Sequence, residues 1–335
     1  MKQKAVNILF TSAGRRVQLL RAFKQAYADL GLKGRIVATD IDPLAPALRV
    51  VDRSYLVPPV SDPDYVPALV EICQKEKIHL LFPLIDPDIP VLARNRLALE
   101  ATGARVMVVP EESALIAADK WATYKFFVKN GVPTPRSWLP QDIRKEESLR
   151  FPLVVKPRFG SAGKSVFKAH NTQELSFFLD YVSDPIIQEY TSGPEITTDI
   201  ICDAEGNVLG FVSRQRIEVR SGEVAKGKTV YDPQVAEYSL HIAKALGAIG
   251  PINVQCFLHE GKPLFTEINA RFGGGAPLGI AAGVLSPHWY LAQAAGLPLE
   301  IPPLGTYKVN LYMTRFDEAF FLTREEYEQT PSHRL

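Results

Sequence analysis

The chain has 335 residues, 46% of them hydrophobic, and balances 38 Lys and Arg against 37 Asp and Glu for a formal net charge of +1. This length predicts two to three domain-sized units with sizeable cores. The even charge excludes an electrostatic case for nucleic acid or an acidic membrane surface.

The first sixteen residues, MKQKAVNILFTSAGRR, hold an apolar core of only a few residues before Arg15 and Arg16. A buried first strand explains them better than a signal peptide. No apolar run approaches spanning length. Cys73, Cys202 and Cys256 lack CxxC spacing, which argues for small core residues in a reducing, cytoplasmic setting and against a disulfide or zinc framework.

Residues 1–118 alternate strand and helix patterns, with strands expected at 6–10, 35–39, 55–57, 79–83 and 105–108. Helices are clearest at 17–30 and 65–77. The pattern indicates a parallel sheet with helices on both faces. Ligands of such sheets bind beyond the carboxyl ends of the strands, where residues 11–16, 40–42 and 86–88 stand. A GxGxxG fingerprint is absent, because Gly14 is the only glycine of the first turn. Asp40 could imitate a ribose-binding acid, which keeps a dinucleotide-dependent oxidoreductase as a weak alternative.

Residues 118–132 read as a helix with Asp119 as N-cap and Gly131 as stop. Pro133 and Pro135 then lead into a smaller α+β unit at 136–187, whose helix is expected over Thr172–Tyr181. From residue 188 onward the pattern is strand-rich. Strands are expected at 195–202 and 208–216, a helix at 233–246, a hairpin at 251–271, a helix at 286–295 and a late strand at 306–314. The division is therefore 1–118, 119–187 and 188–335.

Two hairpins carry the chemistry. In the first, residues 152–167 (PLVVKPRFGSAGKSVF), a short apolar run ends at Lys156. A loop of small residues follows, with Gly160, Ser161, Gly163 and Ser165. Small residues let backbone N–H groups wrap phosphate oxygens. The loop is no Walker motif, since Arg158 stands where the first glycine belongs and a strand follows instead of a helix. In the second, residues 265–271 (FTEINAR) alternate so that Phe265, Glu267, Asn269 and Arg271 should share a face. A turn centred on Gly261 would set Gln255 opposite Glu267 and Asn253 opposite Asn269. Such an oxygen-rich patch suits Mg²⁺, which is usually held by one or two carboxylates plus substrate phosphate. The plain alternative is the exposed polar face of an ordinary hairpin.

These pieces, together with Asp119-Lys120, the QEY of residues 188–190 and Gly193-Pro194-Glu195, resemble the ATP-grasp superfamily, and in particular a single module of the carbamoyl-phosphate synthase large chain. The resemblance covers roughly residues 119–283. It implies an ATP-grasp fold, α/β and α+β, with an N-terminal parallel α/β domain, a small lid and a strand-rich C-terminal domain. It implies ATP and two Mg²⁺ ions, with Mn²⁺ as a substitute. Lys120 and Lys156 would contact the α and β phosphates. The loop with Gly160, Ser161, Gly163 and Ser165 would cover the β and γ phosphates, while Gln188, Glu189 and Tyr190 would face adenine and Glu195 the ribose. Glu267 would bridge the metals, Gln255 and Asn269 would complete them, and Arg271 would face the transferring phosphate. Arg15, Arg16, Arg214 and Arg216 are candidates for anionic substrate groups.

The implied reaction is ATP-dependent ligation of a small-molecule carboxylate to an amine, or to a thiol, through an acyl phosphate. No nucleic acid or membrane partner is implied, and a homodimer is left open. An ATP-binding regulatory or scaffold protein without turnover is the rival reading.

Overall fold

A computed structural model describes residues 5–328 apart from 144, 145, 147, 161, 162, 164 and 221. Its strands fall into three sheets. The first is parallel throughout, in the order Arg53–Leu56, Gly34–Asp40, Val6–Thr11, Leu80–Pro83, Arg105–Val106. All five expected strands are present, and the helices Val17–Asp29 and Tyr65–Glu76 lie where the apolar spacing put them. Chain order reverses between Val6–Thr11 and Leu80–Pro83, so the loops after these two strands flank the crevice that such sheets offer to ligands.

The second sheet has six strands in the order Lys262–Asn269, Pro251–His259, Glu195–Cys202, Val208–Arg220, Glu223–Val230, Tyr312–Thr314, all antiparallel. The sequence reading missed Glu223–Val230, because its EVAKGKTV alternates poorly. Pairing with the thirteen-residue strand Val208–Arg220, longer than expected, imposes its conformation. The expected late strand shrinks to Tyr312–Thr314. Glu111–Ala118 is a helix that the sequence pattern did not announce, and the helix expected at 118–132 follows it as Lys120–Lys129. Asp119 sits extended between them and caps the second by accepting from the Trp121 N–H at 2.9 Å.

The third sheet is small, in the order Ser137–Trp138, Pro185–Glu189, Leu153–Pro157, Phe167–Ala169. Helix Thr172–Tyr181 accompanies it, capped by Asn171. This unit owns a separate core of Trp138, Ile143, Leu153, Val155, Ala169, Leu175, Val182 and Ile187. The other two sheets instead share apolar clusters: Leu9, Val37 and Leu81 of the parallel sheet pack in one continuous core with Ile200, Phe265 and Ile268 of the antiparallel sheet. Two sheets joined by one core form a platform, and the small sheet keeps a core of its own beside it.

Candidate nucleotide and metal site

Hairpin Pro251–His259 with Lys262–Asn269 has the expected register, Gln255 opposite Glu267 and Asn253 opposite Asn269. One expectation fails. Cys256 pairs with Phe265, so Thr266 is an extra residue in a β-bulge. The bulge rotates Phe265 to the opposite face, where it is fully buried against Phe127 and Tyr238. Thr266 takes its place beside Glu267 on the open side. A bulge shifts strict alternation by one residue, and burying a phenylalanine contributes about 1.5–3 kcal/mol. Phe265 therefore goes inward, and the polar face is purely Thr266, Glu267, Asn269 and Arg271.

A cleft of about 940 Å³ separates this face from the small sheet. Its walls hold Lys120, Lys156, Gly160, Gly163, Ser165, Gln188, Glu189, Tyr190, Glu195, Gln255, Glu267, Asn269 and Arg271. The structure thus brings together every nucleotide and metal residue expected from the sequence except Ser161, which lies outside the described residues. The hairpin Leu153–Pro157 with Phe167–Ala169 pairs Leu153 with Ala169 and carries the glycine-rich loop at its tip. Gly160 and Gly163 adopt positive φ, +99° and +66°, which a glycine tolerates freely.

Lys156 enters from the end of its strand and donates to Gln188 Oε1 at 2.9 Å. Gln188 is buried and in turn donates to Ser137 Oγ at 2.9 Å, so its side chain fixes Lys156. Burial lowers the Lys156 ammonium to about 8, with Lys120 adding to the drop and Glu267 opposing it. A desolvated ammonium beside another cation is poised to gain from an anion. Lys120 Nζ donates to the Gly160 carbonyl at 2.6 Å, which ties the first helical turn to the loop. Asp119, beside it, takes a bidentate pair from Arg158 at 2.7 and 2.6 Å. Sequence reading gave Arg158 no role beyond spoiling a Walker motif; it is the anchor of the loop's entry. Tyr190 has Lys168 Nζ 3.7 Å from its ring centre, and Glu189 accepts from the Arg136 backbone N–H at 3.2 Å.

On the opposite wall the Gln255 carboxamide, turned to suit its neighbours, donates to Glu267 Oε2 at 3.1 Å and Glu195 Oε1 at 3.2 Å and accepts from Asn269 Nδ2 at 3.2 Å. Gln255 thus links Glu267 to Asn269, and one carboxylate with two carboxamides is an oxygen donor set that fits Mg²⁺ shared with phosphate oxygens. Among the described residues no cluster of three or more His, Cys, Asp or Glu could hold a metal alone. The ion would therefore need further oxygens from its ligand.

Of the candidate substrate arginines, Arg214 is buried in a two-contact pair with Asp199 at 2.6 and 3.1 Å. Arg216 pairs with Glu195. Arg16 pairs with Glu223 at 2.9 Å, and Arg15 is exposed. A Cβ on Gly275 would collide with the Arg214 guanidinium, and one on Gly274 would stand 2.7 Å from Arg16 Nη1. The glycine run therefore makes room for two arginines. Asp86, which sequence reading only placed at a strand end, accepts from Arg271 Nη2 at 2.6 Å.

Residues 8–108 match the family described as PylC-like, N-terminal domain, and residues 117–275 match the ATP-grasp domain. The carbamoyl phosphate synthase large chain of Clostridium beijerinckii is 23% identical over 296 residues, 82% of this chain and 26% of that protein. The large chain of a Thermoanaerobacter species is 26% identical over 312 residues, 86% of this chain and 28% of that protein. The chain thus spans roughly a quarter of these relatives' length. Among solved structures, biotin carboxylase from Campylobacter jejuni superposes with a TM-score of 0.69 at 16% identity, covering 92% of this chain and 75% of that one. N5-carboxyaminoimidazole synthetase from Staphylococcus aureus gives 0.70 at 16%, covering 92% and 82%. The L-amino acid ligase from Bacillus licheniformis gives 0.66 at 21%, covering 88% and 75%. With the lysine pair, the glycine-rich hairpin and the oxygen-rich strand face gathered in one cleft, residues 117–275 match an ATP-grasp domain, and the chain as a whole is similar to one module of the carbamoyl phosphate synthase large chain.

Proposed function

We propose that the protein is an ATP-dependent ligase that phosphorylates a small-molecule carboxylate and passes the acyl group to an amine, or to a thiol. The carrying observation is the convergence of Lys120, Lys156, Glu267, Asn269 and Arg271 on one cleft. ATP would lie with its phosphates between Lys156 and the Glu267 face, its adenine near Gln188, Glu189 and Tyr190, and its ribose near Glu195. Two Mg²⁺ ions, replaceable by Mn²⁺, would be held by Gln255, Glu267 and Asn269 and would neutralise charge on the phosphates. The chain's own residues orient and neutralise. Lys156, fixed by Gln188, meets phosphate charge; Arg271, fixed by Asp86, meets charge on the moving phosphoryl group. Such positioning and charge stabilisation carry phosphoryl transfer without a covalent protein nucleophile.

The division 1–118, 119–187 and 188–335 stands as part of this reading, with residues 136–187 as a lid. The separate core of the small sheet supports it, although that sheet's last strand runs on to Glu189. Three free, buried cysteines fit a cytoplasmic site of action, and no helix among the described residues is long and apolar enough to cross a membrane.

The test is ADP release with Mg-ATP across a panel of carboxylates, each with and without an amine. Carboxylate-dependent ADP release that Glu267→Ala abolishes supports the reading. Tight Mg-ATP binding with no turnover on any pair would favour the regulatory alternative.

A further inference from the structure

Three cavities lie in series at the junction of the two large sheets. The nucleotide cleft shares Arg216, Gly222, Gln255 and Arg271 with a small polar neck of about 70 Å³. The neck shares Arg16, Glu223, Gly273 and Gly274 with an outer pocket of about 140 Å³. Residues 315–318 roof that outer pocket, beyond the span matched by the ATP-grasp family.

The arginines of this junction are not evenly matched. Arg214 has Asp199, Arg216 has Glu195, Arg271 has Asp86, and Arg21 on the rim has Glu318. Arg16 and Arg315 instead share one carboxylate, Glu223, each at 2.9 Å. Arg315 also donates to the Gly274 carbonyl, and its Nε is buried without a hydrogen-bond partner. Two partly buried cations with one counter-ion between them repel each other. Burial and the neighbouring Arg271 and Arg315 hold the Arg16 guanidinium down to about 10, against the pull of Glu223 and, more weakly, of Asp86. A second anion placed here would relieve that repulsion. Arg16 faces both the neck and the outer pocket, so one small molecule threaded through the neck can reach Arg271 with one end and the shared pair with the other.

We propose that the carboxylate substrate is a dianion whose reacting carboxylate lies by Arg271 and whose distal acidic group is held by Arg16 and Arg315 in the outer pocket. This rests on the ligase reading and names its substrate class. Thr197 Oγ1, buried and unpartnered on the neck wall, would donate to the molecule in passage. Pro277 and Leu19 of the outer pocket would pack on its carbon chain. A bare monocarboxylate would leave the shared pair one charge short.

The experiment measures thermal shift and calorimetric affinity of the protein holding Mg²⁺ and a non-hydrolysable ATP analogue, with glutarate and butyrate as probes of similar length. Glutarate should bind at least ~10-fold more tightly, the equivalent of one well-placed charge contact of about 1.4 kcal/mol. Arg315→Ala should erase the difference, and Arg315→Lys should restore part of it. Glu223→Gln should tighten glutarate by freeing both guanidinium groups. Equal affinity for the two probes, or a preference that survives Arg315→Ala, would overturn the proposal. A wild-type protein not stabilised by the Mg-nucleotide would instead sink the ligase reading itself, and the two failures are told apart in one titration. A misfolded Arg315→Ala shows itself by a lost melting transition, in which case Glu223→Gln decides: unchanged glutarate affinity there also overturns the proposal.

Discussion

Arg271 and Asp86 are 185 residues apart in sequence, and their side chains meet at 2.6 Å. The pair joins the end of strand Lys262–Asn269 of the antiparallel sheet to the loop after Leu80–Pro83 of the parallel sheet. Two residues on, Asp88 is fully buried and accepts from Thr11 Oγ1 at 2.6 Å and Ser12 Oγ at 3.2 Å. One short loop therefore fixes both the Arg271 guanidinium and the turn that carries Arg16.

Arg271→Ala should lower kcat by ~10²–10³ with little change in Mg-ATP affinity, as expected for a donor acting on the transition state. Arg271→Lys should rescue poorly, because a point charge cannot hold Asp86 and meet a phosphoryl group as a planar fork does. Asp86→Asn should keep Arg271 in place less firmly and lower kcat by ~10–10². Nucleotide Kd measured beside single-turnover kcat checks this; a collapse of affinity at preserved kcat would make Arg271 a ground-state anchor.

Lys156 gives nucleotide binding a pH dependence. In the free protein its ammonium titrates at about 8, and a bound phosphate chain raises it by opposing charge. Affinity should be full well below pH 8 and fall about tenfold per pH unit above it. Calorimetry near pH 8 in buffers of different ionisation enthalpy should show proton uptake on binding. Lys156→Met should abolish the uptake, and proton release in the wild type would contradict the assignment.

Glu267→Ala should leave the fold intact, since Glu267 faces the cleft while Phe265 and Ile268 carry the packing of its strand. It should abolish turnover and the dependence of nucleotide affinity on Mg²⁺ or Mn²⁺. Chelation of divalent ions in the wild type should mimic it. Near-normal activity of the variant would refute the metal assignment.

Asp88 predicts a stability effect of defined sign. Burial, reinforced by Asp40 and opposed by Thr11, Ser12 and Tyr65, raises its carboxyl to about 6 from an ordinary 3.8. A raised acid contributes stability fully below its unfolded value, and that stability is lost as pH rises through the folded value. The loss is on the order of 3 kcal/mol above pH 6. Asp88→Asn should match the wild type in Tm near pH 4 and exceed it near pH 7.5. A Tm gap that runs the other way between these pH values would show that the ionised form is the stabilised one.

Local pattern settled much of this protein from sequence. Period-two alternation and short apolar runs placed the five parallel strands. A symmetric turn at Gly261 set Gln255 against Glu267, because register follows from the turn and from which face must be buried. Gln255, Glu267, Asn269 and Arg271 were legible for the same reason, as charged and carboxamide groups on a strand face of an otherwise apolar core, whereas Lys120, Gln188, Glu189, Tyr190 and Glu195 came from the resemblance to ATP-grasp proteins. Tertiary structure alone decided the rest. The bulge at Thr266 turned Phe265 inward because a cavity between Phe127 and Tyr238 needed filling, which no window of the strand reveals. Glu223–Val230 became a strand because its neighbour offered unpaired backbone groups. Arg214 and Arg216 were claimed by Asp199 and Glu195, whereas Arg16 and Arg315 were left to share Glu223. Which charge meets which depends on side chains brought together from as many as 297 positions apart, and sequence spacing carries no record of such distances.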